Sequence, residues 1–333
     1  MGNKISEKYF SHKGLCKEDQ ALKEEICNKT GFIPQEEIFR GYIYDTDKVG
    51  SLIYKGTWQG KAAVLKIQGL ELEIDEADIL ERFNAQNKST HVRVPMCYQK
   101  EHFDKEKGYG FLLSEYIDAP NIYTAPFSSK EEMNDFCTFF EEYQTKCLRE
   151  PFIKKEKEEA SAYQFTKKRI VHWQKIAMSK EHNAYQKEVT DFLDTYQKEI
   201  KEESTVFMHA HLTNKDIFKD KDSYILMSNL FWGYRPKWYD TTFHLWAGIN
   251  AIDDTSIKKE QVIAYLQTWI ESYKTKTSCT KDPLFEKRLH LLMGERVLGS
   301  LLVDIPNKNV DEEKKEHLRG IFQELYAWHR GEF

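Results

Sequence analysis

The chain has 333 residues, 40% of them hydrophobic and 31% charged, which is the balance of a soluble globular protein with room for two cores. Its formal net charge of −5, with lysine and glutamate interleaved, excludes a general attraction to nucleic acid or to an anionic membrane. No apolar run reaches the roughly 18 residues that a membrane span needs, and six cysteines without a C-x-x-C pair read as reduced thiols of a cytoplasmic protein.

Met1-Gly2-Asn3-Lys4-Ile5-Ser6 fits the N-myristoylation template, against the plainer reading of an ordinary start; it has no signal-peptide core. Residues 16–29 (CKEDQALKEEICNK) predict a helix, ended by Thr30-Gly31 and Pro34, within an N-terminal extension covering 1–36. Strand-like runs follow at Glu37 to Tyr44, Ser51 to Lys55 and Ala62 to Ile67, with turn residues between them. The first connection, Asp45-Thr46-Asp47-Lys48-Val49-Gly50-Ser51, holds one glycine and two aspartates, a poor cradle for an anion. This antiparallel meander ends on Val64-Leu65-Lys66-Ile67, and a helix is predicted from Glu71 to Phe83 with Glu76 near its head. A lone strand lysine would ordinarily alternate out to water.

Val92 to Pro95 and Gly110 to Ile117 are predicted to complete the sheet. From Ser128 the pattern turns helical: Lys130 to Leu148, Lys154 to Met178 and Asn183 to Glu202, and later Lys258 to Tyr273, Pro283 to Leu302 and Val310 to His329. Between these groups lies Thr205 to Trp246, with apolar runs at Val206-Phe207-Met208 and Tyr224 to Met227, read as two short strands joined by a polar loop. The order of strands first and helices after predicts an α+β fold of two unequal lobes, 37–117 and 118–333.

His209, Leu212, Ile217, Met227 and Tyr239-Asp240 fall at the intervals of a pattern found in aminoglycoside phosphotransferases and related kinase-like enzymes. That pattern reads His-Gly-Asp-Leu-x-x-x-Asn-Ile, then an Ile-Asp strand, then Tyr-Asp. The chain resembles that family in register and departs from it in chemistry. His211 stands at the catalytic Asp position, Asp216 at the metal-binding Asn position and Ser228 at the strand-end metal-binding Asp position. The resemblance implies a protein-kinase-like two-lobed fold, with Lys66 and Glu76 as the pair that holds a nucleotide's phosphates and Ser114, Glu115, Tyr116 and Ile117 as the hinge that meets adenine. ATP and magnesium are the implied cofactors, and Asp216 is the one carboxylate left to hold the metal.

Four readings follow. A kinase-like fold that has lost phosphoryl transfer, while keeping nucleotide or small-molecule binding in the interlobe cleft, needs only the substitutions seen. An active phosphotransferase on a small-molecule hydroxyl would use His211 as general base and Asp216 as metal ligand. His209-x-His211 with Asp216, Asp240 or His244 has ligand types suited to zinc, against a plain packing role for the first histidine. Finally, Phe231, Trp232, Tyr234, Trp238, Tyr239, Phe243 and Trp246 with Arg235 could form a stacking platform, against the commoner fate of such aromatics in a core.

Overall fold

Ala63, Leu65 and Ile67 alternate with less buried neighbours along Lys61–Gln68, so one face of this strand is apolar and the other carries Lys66. The strand is β3 of a five-stranded antiparallel sheet with order β1-β2-β3-β6-β5, formed with Ile33–Tyr42 (β1), Val49–Trp58 (β2), Cys97–Asp104 (β5) and Tyr109–Glu115 (β6). The computed structural model describes residues 17–42, 49–123, 127–147, 151–154, 161–179, 185–200 and 203–331. The myristoylation motif and Asp45 to Lys48 lie outside them.

Both faces of the sheet are covered. Helix α1 (Lys17–Thr30) places Leu22 and Ile26 against Leu52, Leu65, Ile67 and Leu113. Its end is fixed by Trp58 Nε1, which donates to Thr30 O at 2.9 Å, and Tyr109 donates its hydroxyl proton to Glu25 at 2.8 Å. Helix α2 (Glu76–Gln86) buries Ala77, Ile79, Leu80 and Phe83, while Lys100 of β5 reaches Asp78 and Glu81 at 2.7 Å each. Residues 71–75, read as the start of this helix, are not helical; α2 begins at Glu76, after an extended Asp75.

The expected place of Val92 to Pro95 in this sheet is corrected. Only Val92–Arg93 (β4) is strand, and the sheet's edge is β5, whose CYQKEHFD sequence is too polar to alternate visibly. Contacts divide the chain into two compact units. One comprises Met1–Asn87, Arg93–Ala119 and Ile225–Leu230, and the other Lys88–Val92, Pro120–Tyr224 and Phe231–Phe333.

The second unit is mainly helical. Helix α3 (Lys130–Glu142) starts at a capping box, in which Ser129 Oγ accepts from Glu132 N and Ser129 N donates to Glu132 Oε2. A π-helical turn, Tyr143–Cys147, extends it. Helices α4 (Ala162–Ser179), α5 (Gln186–Ile200), α6 (Tyr239–Asn250), α7 (Lys259–Lys276), α8 (Phe285–Gly299) and α9 (Glu312–Gly331) follow. α8 is buried along nearly its whole length and packs against α6 and α9. An aromatic core joins α3, α6 and α7: Phe136 stacks on His244 at 3.9 Å, and Trp269 and Tyr273 close around them.

Both apolar runs of the central stretch form strands: Val206–Met208 (β7) pairs with Gly233–Arg235 (β10), and Ser223–Leu226 (β9) lies beside Ile217–Asp220 (β8). Tyr239–Asn250, for which the sequence predicts no element, is α6, whose buried faces all round hide a helical period.

Candidate functional site

In the first unit, alternation along β3 turns Lys66 towards α2. There its Nζ meets Glu76 Oε2 at 2.5 Å, with both side chains mostly shielded from water. Glu76 sits in the first turn of α2, where its charge also suits the helix dipole. The pair borders a small surface depression whose walls include Gln68, Leu72, Lys100 and His102. The predicted lysine–glutamate pair is therefore formed.

The predicted hinge residues close β6 and continue beyond it. Ser114 is buried, and Glu115 holds Arg93 in a two-pronged ion pair at 2.6 and 2.8 Å. Glu115 N donates to Met96 O at 2.9 Å and Tyr116 N to Ala62 O at 3.3 Å. The amides of Glu115 and Tyr116 are thus engaged by neighbouring backbone. The Tyr116 ring carries Lys55 Nζ 4.2 Å from its centroid.

In the second unit, β7 runs into the loop that carries His209, His211 and Asp216. Asp240, in the first turn of α6, holds this loop: its Oδ1 accepts from Ala210 N at 2.7 Å, and its Oδ2 accepts from Tyr143 Oη at 2.5 Å. Tyr143 in turn accepts from His209 N at 2.8 Å. Ala210 has φ +67°, a left-handed conformation that the fold tolerates because its amide is fixed in this way. Burial pushes the Asp240 carboxyl up to about 6, although the hydrogen bonds of Tyr143 and the loop amides favour its charged form.

His211 and Asp216 are brought together, with Nδ1 3.2 Å from Oδ2. Asp216 is buried, and the same Oδ2 also accepts from Thr213 N at 2.8 Å and Thr213 Oγ1 at 2.6 Å. The His211 ring stacks on Phe231 at 4.0 Å and lies 4.8 Å from Phe243. His209 faces elsewhere, fully buried and edge-on to Trp232. Among the described residues, no three His, Cys, Asp or Glu side chains are grouped to hold a metal ion.

Ser228 belongs to the first unit. It follows β9 in a left-handed conformation (φ +56°), and the next residue, Asn229, is buried and donates to Leu226 O at 2.8 Å. Magnesium demands several hard oxygen ligands in octahedral array. Ser228 by itself offers a neutral hydroxyl, and Asp216 by itself a carboxylate whose Oδ2 already accepts from two Thr213 donors and meets His211 Nδ1; neither meets that demand alone, so no step is assigned to the metal.

The aromatic platform resolves mostly into core: Trp232, Trp238, Tyr239 and Phe243 are buried, while Phe231 is exposed. Sequence reasoning missed Tyr143 as the support of the loop, and missed a buried ion pair between Arg169 of α4 and Glu295 of α8 at 3.0 Å. The signal for the latter was a Glu295-Arg296 dipeptide interrupting the apolar run of α8.

No protein-family model matches the sequence, and no curated protein does. Solved structures do. A thermostable mutant of aminoglycoside phosphotransferase APH(4)-Ia, in ternary complex with ADP and hygromycin B, is 11% identical with a TM-score of 0.61, over 92% of this chain and 98% of that one. Spectinomycin phosphotransferase APH(9)-Ia, in complex with ADP and spectinomycin, is 14% identical with a TM-score of 0.53, over 92% and 97%. A putative aminoglycoside phosphotransferase from Ralstonia eutropha is 12% identical with a TM-score of 0.56, over 94% and 98%. An antiparallel sheet followed by helices, similar over nearly the full length of both chains, gives this protein the kinase-like fold of the aminoglycoside phosphotransferases.

Proposed function

We propose that the chain is a pseudokinase-type protein that binds a nucleotide or small molecule and does not transfer phosphate. The observation that carries this reading is the state of Asp216. Its Oδ2 receives two donors from Thr213 and meets His211, so the carboxylate stabilises its own loop where a working enzyme needs a free metal ligand. Ser228 offers no carboxylate at the second metal position. Lys66, already held by Glu76, supports retained binding of phosphate groups, and similar folds have been solved with ADP. Thermal shift with ATP, with and without magnesium, together with an assay for ADP release, tests the proposal. We expect a shift that magnesium does not enhance and no release above background.

One observation favours a second reading, an active small-molecule phosphotransferase. A carboxylate at His211 Nδ1 leaves Nε2 placed to accept a proton from a substrate hydroxyl, as a general base must. ATP turnover that disappears in His211→Ala would establish it and remove the first.

A further inference from the structure

Arg296 projects from α8 with 8% of its surface exposed, and its guanidinium carbon lies 3.6 Å above the centroid of Trp246. Phe243 and Trp173 flank it at 5.1 and 5.6 Å. Its Nε finds no hydrogen-bond partner, and no described carboxylate comes within ion-pair distance. The neighbouring charges are committed elsewhere. Glu295 pairs with Arg169 and accepts from Thr166, and Asp304 accepts from Ser300 Oγ, itself the acceptor of Trp246 Nε1–H. Those two carboxylates do not offset the loss of water or the like charge of Arg169, and burial holds the guanidinium below its ordinary pKa.

A buried cation without a counter-charge is costly. An apolar side chain of similar length would pack on Trp246 without that cost. The planar, forked guanidinium is also the group best suited to grip a carboxylate or phosphate. Trp173 and Trp246 are only partly buried, so the arrangement is not sealed from solvent, and Phe243 touches both Arg296 and the ring of His211. We propose that Arg296 is the anchor for an oxyanion, carboxylate or phosphate, on a small-molecule ligand of the helical unit. The inference rests on the small-molecule half of the function proposed above, and it assigns that ligand a negative charge, opposite to a cationic aminoglycoside.

The test titrates the full chain with inorganic phosphate and, separately, with benzoate, against sodium chloride at matched ionic strength. Tryptophan fluorescence and melting temperature are read together. For the wild type we expect a saturable fluorescence change and a raised melting temperature with one of the two anions, which identifies the oxyanion. In Arg296→Met we expect an unliganded melting temperature at or above wild type and affinity weakened at least tenfold. No saturable response to either anion overturns the proposal, and so does an undiminished response in Arg296→Met. A lower unliganded melting temperature in that variant would make the guanidinium structural and also overturn it. A parallel titration with ATP separates the two readings. Failure of ATP alone removes the nucleotide role and leaves the anchor, whereas an ATP response lost in Arg296→Met supports the anchor and identifies its oxyanion as the phosphate of the nucleotide.

Discussion

The Tyr143 hydroxyl donates to Asp240 Oδ2 at 2.5 Å while accepting from His209 N, so the π-helical turn after α3 and the first turn of α6 hold the His209–Asp216 loop from both sides. Asp240→Ala would leave the Ala210 amide and the Tyr143 hydroxyl without their acceptor. The expected loss is roughly 2–4 kcal/mol, read by chemical denaturation. A loss under about 0.5 kcal/mol would mean that water replaces the carboxylate.

The same carboxyl has a pH signature. Its folded pKa, about 6, lies above the 3.8 of an unperturbed Asp, so the folded chain keeps a proton that the unfolded chain releases. Its contribution to stability is therefore greatest below pH 4, declines as pH rises to about 6 and is constant above. Asp240→Asn should remove this decline, measured as the difference between the two stability curves over that window.

Two buried histidines act in the opposite sense. Burial brings His244 down to about 3, and burial with the neighbouring His290 brings His329 well below its ordinary value. Each contributes stability that is complete above about pH 6.5 and is lost as pH falls, at up to about 1.4 kcal/mol per pH unit. His290 and His329 meet Nδ1 to Nδ1 at 2.8 Å, so one ring must donate and the other accept. His329→Gln should flatten the acid limb of the stability curve between pH 6.5 and 4.5; an unchanged slope would count against a buried neutral imidazole.

Lys66 and Glu76 are expected to matter for binding more than for folding. Partly shielded ion pairs of this kind contribute about 1 kcal/mol, so Lys66→Met should melt close to wild type. Its thermal response to ATP should vanish, and Glu76→Gln should weaken that response by releasing the lysine from its position. An intact ATP response in Lys66→Met would detach nucleotide binding from this lysine.

Gly299, at the end of α8, faces the ring of Trp173. A Cβ there would stand 2.7–2.9 Å from three ring atoms, which forces a large side chain to move. Gly299→Ala is expected to cost about 1–3 kcal/mol and to shift tryptophan emission, and the emission change distinguishes ring displacement from a general loss of stability.

The sequence shows the fold where burial is one-sided. β3 alternates, so its apolar face and Lys66 could be read directly, and the intervals from His209 to Asp240 placed the loop and its support. Polar β5 and all-buried α6 show no period, so that strand and that helix have no counterpart among the elements predicted from the sequence. The pairing of β7 with β10 depends on contacts across more than a score of residues, which local pattern does not encode. His211, Asp216 and Glu76 could be named from the family resemblance, but the three-way engagement of Asp216 Oδ2 depends on Thr213, an unremarkable threonine in the text of the chain. Arg296 was hidden for the opposite reason: beside Glu295 it looks like half of a local ion pair, until the structure gives Glu295 to Arg169.

Helix α1 closes the side of the sheet opposite α2 through Leu22, Ile26 and the Trp58 hydrogen bond to Thr30. The lysine that would greet a phosphate therefore owes its footing to a segment more than thirty residues upstream. Truncating that segment would expose Leu65 and Ile67 to water and loosen the strand from behind, so the position of Lys66 depends on a helix it never touches.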